Sequence, residues 1–250
     1  MLNDDYLLRI ENLKTYFPIR KGLLRRTVGY VKAVDGVSIG IRAGQIVGLV
    51  GQSGCGKTTL ARSIVRLVPV TEGQVVFEQA DVLSANRAQL RRLRRQIGLI
   101  FQDPFTSLSP RETVGNLIGE PLKVHGMTDS DTVYKTVGQW LCNVGLSADY
   151  IDRYPHELSA GQRQRVAIAR VLALQPKLII CDEPVSSLDV SMQVQILDLL
   201  KNLQRRFRLT YLFISHDLAL VEFFCDTVAV MHHGRIVEHK PVGKTDCGRR

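Results

Sequence analysis

The spacing of apolar and polar positions changes several times along the chain. Over residues 7–17, and again over 31–41, apolar residues partly alternate with polar ones, most cleanly at Val37, Ile39 and Ile41. A period of two sends alternate side chains to one face, so both segments predict strands. A basic stretch containing Gly22 and Gly29 joins them, and the two read as a pair. Residues 46–50 form an unbroken apolar run that stops at glycines, and a helical pattern starts near Lys57. That order predicts a buried strand, a tight loop and a helix. Residues 97–101 form another short apolar run, ending at Gln102.

From 103 to about 155 helical spacing dominates, interrupted by Pro104, Pro110, Pro121 and Gly126, with no clear strand. A helix is predicted from Gln162 to about Leu174, then a buried strand over 178–181 and an amphipathic helix over 194–207. The apolar face of that helix is read as Ile196, Leu199, Leu203 and Phe207. A strand over 211–214 and a hairpin over 227–238, turning at His233 and Gly234, complete the pattern. Strands alternating with helices imply a mainly parallel sheet covered on both faces. Ligands of such sheets bind beyond the carboxyl ends of the strands, where the glycine loop, Gln102, Asp182 and His216 are expected to converge.

Composition narrows the setting. A chain of 250 residues can bury one substantial core, or one core plus a smaller lobe. Its five cysteines, Cys55, Cys142, Cys181, Cys225 and Cys247, are scattered and show no CxxC spacing, which argues for a reducing compartment and against disulfides or zinc. Asp4 and Asp5 stand where a secretory signal needs a basic start, and no apolar run reaches membrane-spanning length. Any membrane connection is therefore expected to go through a partner. The net charge of +9 gathers in Arg20, Lys21, Arg25 and Arg26, and in Arg91, Arg92, Arg94 and Arg95. The second group interleaves with Leu90, Leu93 and Ile97 at helical spacing and reads as a solvated helix face. Neither group has aromatics placed to stack on bases, so no nucleic acid is expected, and anionic lipid or a partner loop is the better fit.

The glycine loop carries the chemistry. In GQSGCGKT, residues 51–58, Gly51, Gly54 and Gly56 let the backbone take positive φ and come close to a ligand, so that successive N–H groups hold phosphate oxygens. The helix that follows adds its partial positive charge. Lys57 would reach the β- and γ-phosphates of ATP and the Thr58 hydroxyl would bind Mg²⁺, the nucleotide contacts running through Gly51, Gln52, Ser53, Gly54, Cys55, Gly56, Lys57, Thr58 and Thr59. Cys55 reads as a small spacer. Asp182 and Glu183 follow an apolar strand, and as strand-end neighbours they point in different directions. Asp182 suits Mg²⁺ and Glu183 suits general base, although acidic residues after a strand are also ordinary loop residues. Gln102 would touch Mg²⁺ or the attacking water and His216 the γ-phosphate. Taken alone, each reads more readily as a surface or structural residue, and the functional reading comes from the set. In LSAGQ, Ser159 and Gln162 form a capping box for the next helix, and a start with Ser159 and Gly161 exposed is an anion site.

In this order the motifs resemble those of the ATP-binding cassette family. GQSGCGKT looks like its Walker A, Gln102 its Q-loop, LSAGQ its signature, LIICDE its Walker B with catalytic Glu183, SSLD (186–189) its D-loop, and His216 its switch histidine. The resemblance implies an α/β P-loop fold with an N-terminal antiparallel β lobe at 1–44. It further implies a RecA-like core at 45–102 and 163–238, an inserted helical lobe at 103–162 and a tail at 239–250. It implies head-to-tail pairing with a second cassette, whose ATP would be contacted by Ser159, Ala160, Gly161, Gln162 and Asp189. Phe17, or less readily Tyr16, falls where the family stacks an aromatic on adenine.

FPIRKGLLRR, KAVDGVS, FQDPFTSLSPR, YPHELSAGQRQRVAIAR and CDEPVSSLDVS are similar to the ATPase subunits of bacterial dipeptide and oligopeptide importers. That likeness implies a peripheral ATPase on the cytoplasmic face of the inner membrane, paired with a second cassette, identical or related. Its partners would be two permeases, received by the region after Gln102, and indirectly an extracytoplasmic solute-binding protein. Two departures stand out. Ala160 replaces the usual first glycine of LSGGQ; if that position needs positive φ the cost is about 1–2 kcal/mol, and if φ is negative the change is nearly free, and reduced but real ATPase activity is expected. The ending HKPVGKTDCGRR departs from the importer pattern and suggests a truncated or frameshifted gene. Two other functions are weighed against the importer: a soluble cassette ATPase acting on nucleic acid or ribosomes, and a nucleotide-binding remnant unable to couple to transport.

Overall fold

The computed structural model describes residues 5–22, 26–102 and 108–242. Arg25 of the first basic cluster, residues 103–107 of the expected permease-receiving region, and the tail from 243, with Cys247, lie outside these residues. In chain order the elements are β1 (Tyr6–Lys21), β2 (Arg26–Arg42), β3 (Ile46–Val50), α1 (Lys57–Ile64), β4 (Glu72–Phe77), β5 (Ala80–Asp81), α2 (Arg87–Gln96), β6 (Ile97–Ile100), α3 (Val114–Val124), α4 (Ser130–Asn143), α5 (Ala160–Leu172), β7 (Leu178–Asp182), α6 (Val190–Phe207), β8 (Thr210–Ser215), α7 (Leu218–Phe224), β9 (Thr227–His232) and β10 (Arg235–Pro241). The chain divides into two compact units, one running to Leu93 and resuming at Thr210, the other comprising Arg94–Leu209.

In the first unit, β2, β1, β4 and β5 form an antiparallel sheet. The β1–β2 pairing continues through the basic stretch to Lys21 opposite Arg26, so Gly29 lies within a strand while Gly22, at φ +77°, marks the end of β1. β3 runs parallel to both β8 and β9, and β10 closes antiparallel on β9. All residues of β3 and β8 are buried, which is why they read as unbroken apolar runs. Gly48 has a steric role: a Cβ there would lie 2.2 Å from Val221 Cγ1, so its absence lets α7 pack flush on β3. Phe213 and Phe224 rings meet at 4.8 Å beside that contact.

In the second unit β6 and β7 pair in parallel. Each of the α-helices that start here has a side-chain cap: Thr113 on α3, Asp129 on α4, Ser159 on α5 and Asp189 on α6. Pro121, expected as a break, lies inside α3, and the helix continues because the His125 N–H donates to the Pro121 carbonyl at 3.1 Å. The stop falls at Gly126, φ +98°. α6 begins four residues earlier than its apolar pattern does, and its buried face is Ile196, Leu197, Leu200 and Leu203. Phe207 is partly exposed but rests against Trp140, ring centroids 5.2 Å apart. Of α2, Leu93 is buried while Arg91, Arg92, Arg94 and Arg95 are exposed, as an amphipathic surface helix requires.

Candidate functional site

In the first unit, β3 ends at Val50 and α1 starts at Lys57, and the six residues between them are shaped by glycine. Gly54 and Gly56 have φ of +80° and +112°, a region that side chains other than glycine rarely adopt. A Cβ on Gly51 would lie 2.2 Å from the Met231 carbonyl oxygen, and one on Gly56 would lie 2.0 Å from that of Ala33. Gly54 faces open space, with nothing within 4 Å of a Cβ there. The loop is thus pressed onto β9 and β2 on one side and open on the other. The Cys55 thiol is packed inside it, and the Cys55 carbonyl accepts the Gly234 N–H at 2.9 Å.

Lys57 is 5% exposed, and its ammonium donates to the carbonyls of Gly51 at 2.7 Å and Gln52 at 3.1 Å. A buried cation held by two carbonyls of the loop has its direction fixed by the fold. Thr58 and Thr59 are half-buried in the first turn of α1, which carries no acidic residue to repel an anion. Gln52 and Ser53 are exposed. A loop of open backbone with a cation at its base and a hydroxyl in the helix turn fits a phosphate chain with its magnesium ion. His216 is exposed immediately after β8, followed by Asp217, which caps α7. Phe17 is half-buried in β1 opposite Val31.

The second unit holds the carboxylates. Asp182 is the last residue of β7 and 3% exposed, whereas Glu183 is half-buried. The Gln102 side-chain amide donates to Glu183 Oε2 at 3.1 Å, joining two residues 81 apart in sequence. Glu183 has φ +49°, and its carbonyl accepts the N–H and the hydroxyl of Ser186. The capping box is present: Ser159 Oγ accepts the Gln162 N–H at 3.3 Å and Gln162 Oε1 accepts the Ser159 N–H at 2.9 Å. Ser159 is exposed, but Gly161, expected to be exposed, is buried; a Cβ there would lie 3.1 Å from Met192 Sδ. Asp189 spends its carboxylate on the α6 cap. The Met192 N–H and the Ser191 hydroxyl hold its carboxyl below the ordinary range, and so keep it ionised.

Ala160 opens α5 as its first helical residue and is not among the positive-φ positions. A helical alanine carries no left-handed penalty, which removes the strain argument for reduced activity. Ala160→Gly is therefore expected to leave ATP turnover unchanged and to lower stability by up to about 1 kcal/mol through the greater freedom of glycine in the unfolded chain. Steady-state hydrolysis and a thermal melt check both, and a clear gain in turnover would restore the strain idea.

A family model described as ABC transporter matches residues 34–186. The chain belongs to the ABC transporter family. It is an ATPase of that family, and cassettes of this kind bind ATP. The oligopeptide transport ATP-binding protein AppF of Bacillus subtilis is 49% identical over 237 residues, covering 94% of this chain and 72% of that protein. The glutathione import ATP-binding protein GsiA of Pectobacterium atrosepticum is 50% identical over 235 residues, but this cassette spans only 38% of its length. Among solved structures, the ATP-binding cassette MJ0796, a dimer in a post-hydrolysis state bound to ADP and Pi, superposes with a TM-score of 0.82 at 27% identity. That match covers 94% of this chain and 98% of the other. The cassette cbiO1 of Clostridium perfringens, part of the cbiONQ transporter complex, gives 0.80 at 30% identity over 95% of this chain and 89% of its own.

Proposed function

We propose that this chain is the ATP-binding and ATP-hydrolysing subunit that energises a membrane importer for di- or oligopeptides. The observation that carries the ATPase reading is the Gln102–Glu183 hydrogen bond beyond the end of β7, in a chain that also builds the phosphate loop. The import reading is supported by the likeness to an oligopeptide and a glutathione transport ATPase. Lys57 and the loop N–H groups hold the β- and γ-phosphates, and Phe17 stacks on adenine. Glu183 accepts a proton from the attacking water, and His216 and Gln102 orient that water. Thr58, Asp182 and Gln102 would supply oxygen ligands for Mg²⁺, which when bound would offset charge on the phosphate oxygens.

Ser159, Ala160, Gly161, Gln162 and Asp189 serve the ATP of a second cassette, the two subunits closing on ATP and parting after hydrolysis. The same reading divides the chain into a β lobe at 1–44, a core at 45–102 and 163–238, and a helical lobe at 103–162. No helix among the described residues is long and apolar enough to cross a membrane, so attachment to the cytoplasmic face goes through two permeases, with a solute-binding protein outside. The test is ATP hydrolysis by the purified chain with and without permease-containing membranes stripped of nucleic acid. Hydrolysis is expected alone and to rise severalfold with the permeases. Stimulation by RNA or ribosomes and not by those membranes would overturn the importer reading.

A further inference from the structure

One cluster in the first unit has no part in the chemistry above. Tyr16, Asp35 and Arg235 come from β1, β2 and β10. The Tyr16 hydroxyl donates to Asp35 Oδ1, while Arg235 donates to Asp35 Oδ2 from Nε at 3.1 Å and from Nη2 at 2.7 Å. Both carboxylate oxygens are thereby used. The Tyr16 hydroxyl and the Arg235 guanidinium together hold the Asp35 carboxyl below its ordinary range, so it is an anion at neutral pH. Arg235 is 67% exposed whereas Asp35 is only 12% exposed. A three-way contact drawn from three strands fixes the direction of the groups it joins.

What it fixes is Tyr16. The Tyr16 N–H also donates to Thr71 Oγ1 at 3.0 Å, and Lys32 Nζ stands over the ring at 5.4 Å from its centroid. Backbone, hydroxyl and one ring face of Tyr16 are thus engaged, which holds the side chain in place. Neighbours on an extended strand point to opposite faces, so a Tyr16 locked on one face commits Phe17 to the other. Their chain neighbours touch the phosphate loop from behind. The Asp35 N–H donates to the Gly234 carbonyl at 2.8 Å, the Gly234 N–H donates to the Cys55 carbonyl at 2.9 Å, and Ala33 lies against Gly56.

We propose that Asp35 is a positioning residue for base recognition: held by Arg235, it anchors the Tyr16 hydroxyl and so sets the direction in which Phe17 is presented. The proposal rests on the reading of Phe17 as the adenine contact. It separates the recognition of the base from that of the phosphates, because the base side depends on a side-chain anchor whereas the loop is shaped by backbone and glycine.

Binding of magnesium ATP and of magnesium tripolyphosphate, which has no base, is measured by calorimetry on the purified full chain and on Asp35→Asn, Tyr16→Phe and Phe17→Ala. Stacking of one base on an aromatic limits the loss for Phe17→Ala to between about tenfold and a hundredfold. Asp35→Asn and Tyr16→Phe are expected to weaken ATP by about three- to tenfold, as partial misdirection of the same contact, and to leave tripolyphosphate at parental affinity. Tyr16→Phe removes one hydroxyl and keeps the ring, which covers the case in which Asp35→Asn does not fold. Unchanged ATP affinity in Tyr16→Phe and Asp35→Asn, with Phe17→Ala weakened, overturns the role of Asp35 alone. Equal weakening of ATP and tripolyphosphate overturns it too, by assigning the effect to the phosphate loop. Parental ATP affinity in Phe17→Ala overturns the adenine reading and the proposal with it.

Discussion

Glu183→Gln is expected to lower ATP turnover by about two to four powers of ten while nucleotide binding stays near the parental level. The substitution keeps the shape of the side chain and an oxygen that can still accept from the Gln102 amide, so the local hydrogen bond survives. What disappears is the basic carboxylate that, in the proposed role, takes the proton of the attacking water. The backbone adds a second reason to look here. Glu183 sits at φ +49°, where a residue with a Cβ costs about 1–2 kcal/mol, and local preference alone would favour glycine or asparagine. The Ser186 N–H and hydroxyl, both donating to the Glu183 carbonyl, help to hold it there. Single-turnover hydrolysis alongside equilibrium binding of ATP distinguishes the steps. Parental hydrolysis would remove Glu183 from the role of base, and loss of binding would make it a ligand contact instead. If the proposed pairing holds, the variant also accumulates as an ATP-bound dimer, visible as a doubled mass by light scattering.

The parts legible in the sequence are those in which burial writes itself into composition. β3, β6, β7 and β8 pair in parallel, and their apolar runs mark them without any alternation. β4 was not legible for the opposite reason: only Val75 and Phe77 of its six residues are buried, and Glu72, Gly73 and Gln74 give no period. The outer halves of β1 and β2 were hidden as well, because from Pro18 to Lys21 and from Arg26 to Tyr30 the side chains are mostly exposed. There the strands are set by pairing with each other rather than by a buried face.

The candidate site divides along the same line. The glycine loop, the residue pair at 182 and 183 and the box at Ser159 and Gln162 are local spacings, so a linear reading reaches them. Three features of the surroundings are not local. The Asp35–Arg235 contact joins residues 200 apart, which no window of sequence displays. The left-handed backbone at Glu183 is a property of the fold, since glutamate carries no preference for it. The burial of Gly161 against Met192 on the following helix depends on how α5 and α6 pack, so a motif that looked exposed from its glycine is only partly so.

Lys57→Ala is expected to weaken ATP binding by at least about a hundredfold, and hydrolysis at cellular ATP levels should fall with it. The lower bound follows from the proposed contact with the phosphates: hydrogen bonds from an ammonium to charged oxygens contribute about 1.5–3 kcal/mol each, and two of them correspond to about two to four powers of ten. Alanine is also expected to destabilise the loop itself. Lys57 is buried and donates to the Gly51 and Gln52 carbonyls, so alanine leaves both without that donor and opens a gap at the base of the loop. A loss of binding in Lys57→Ala alone would therefore confuse a deformed loop with a missing charge. Lys57→Met resolves this, because it keeps most of the aliphatic stem packed and deletes only the cation. Both variants are expected to lose ATP binding to the same extent, with the melting temperature falling more in Lys57→Ala than in Lys57→Met. Retention of ATP affinity in Lys57→Met would show that the lysine shapes the loop and does not hold the phosphates, and the phosphate role would then pass to the backbone N–H groups and the start of α1.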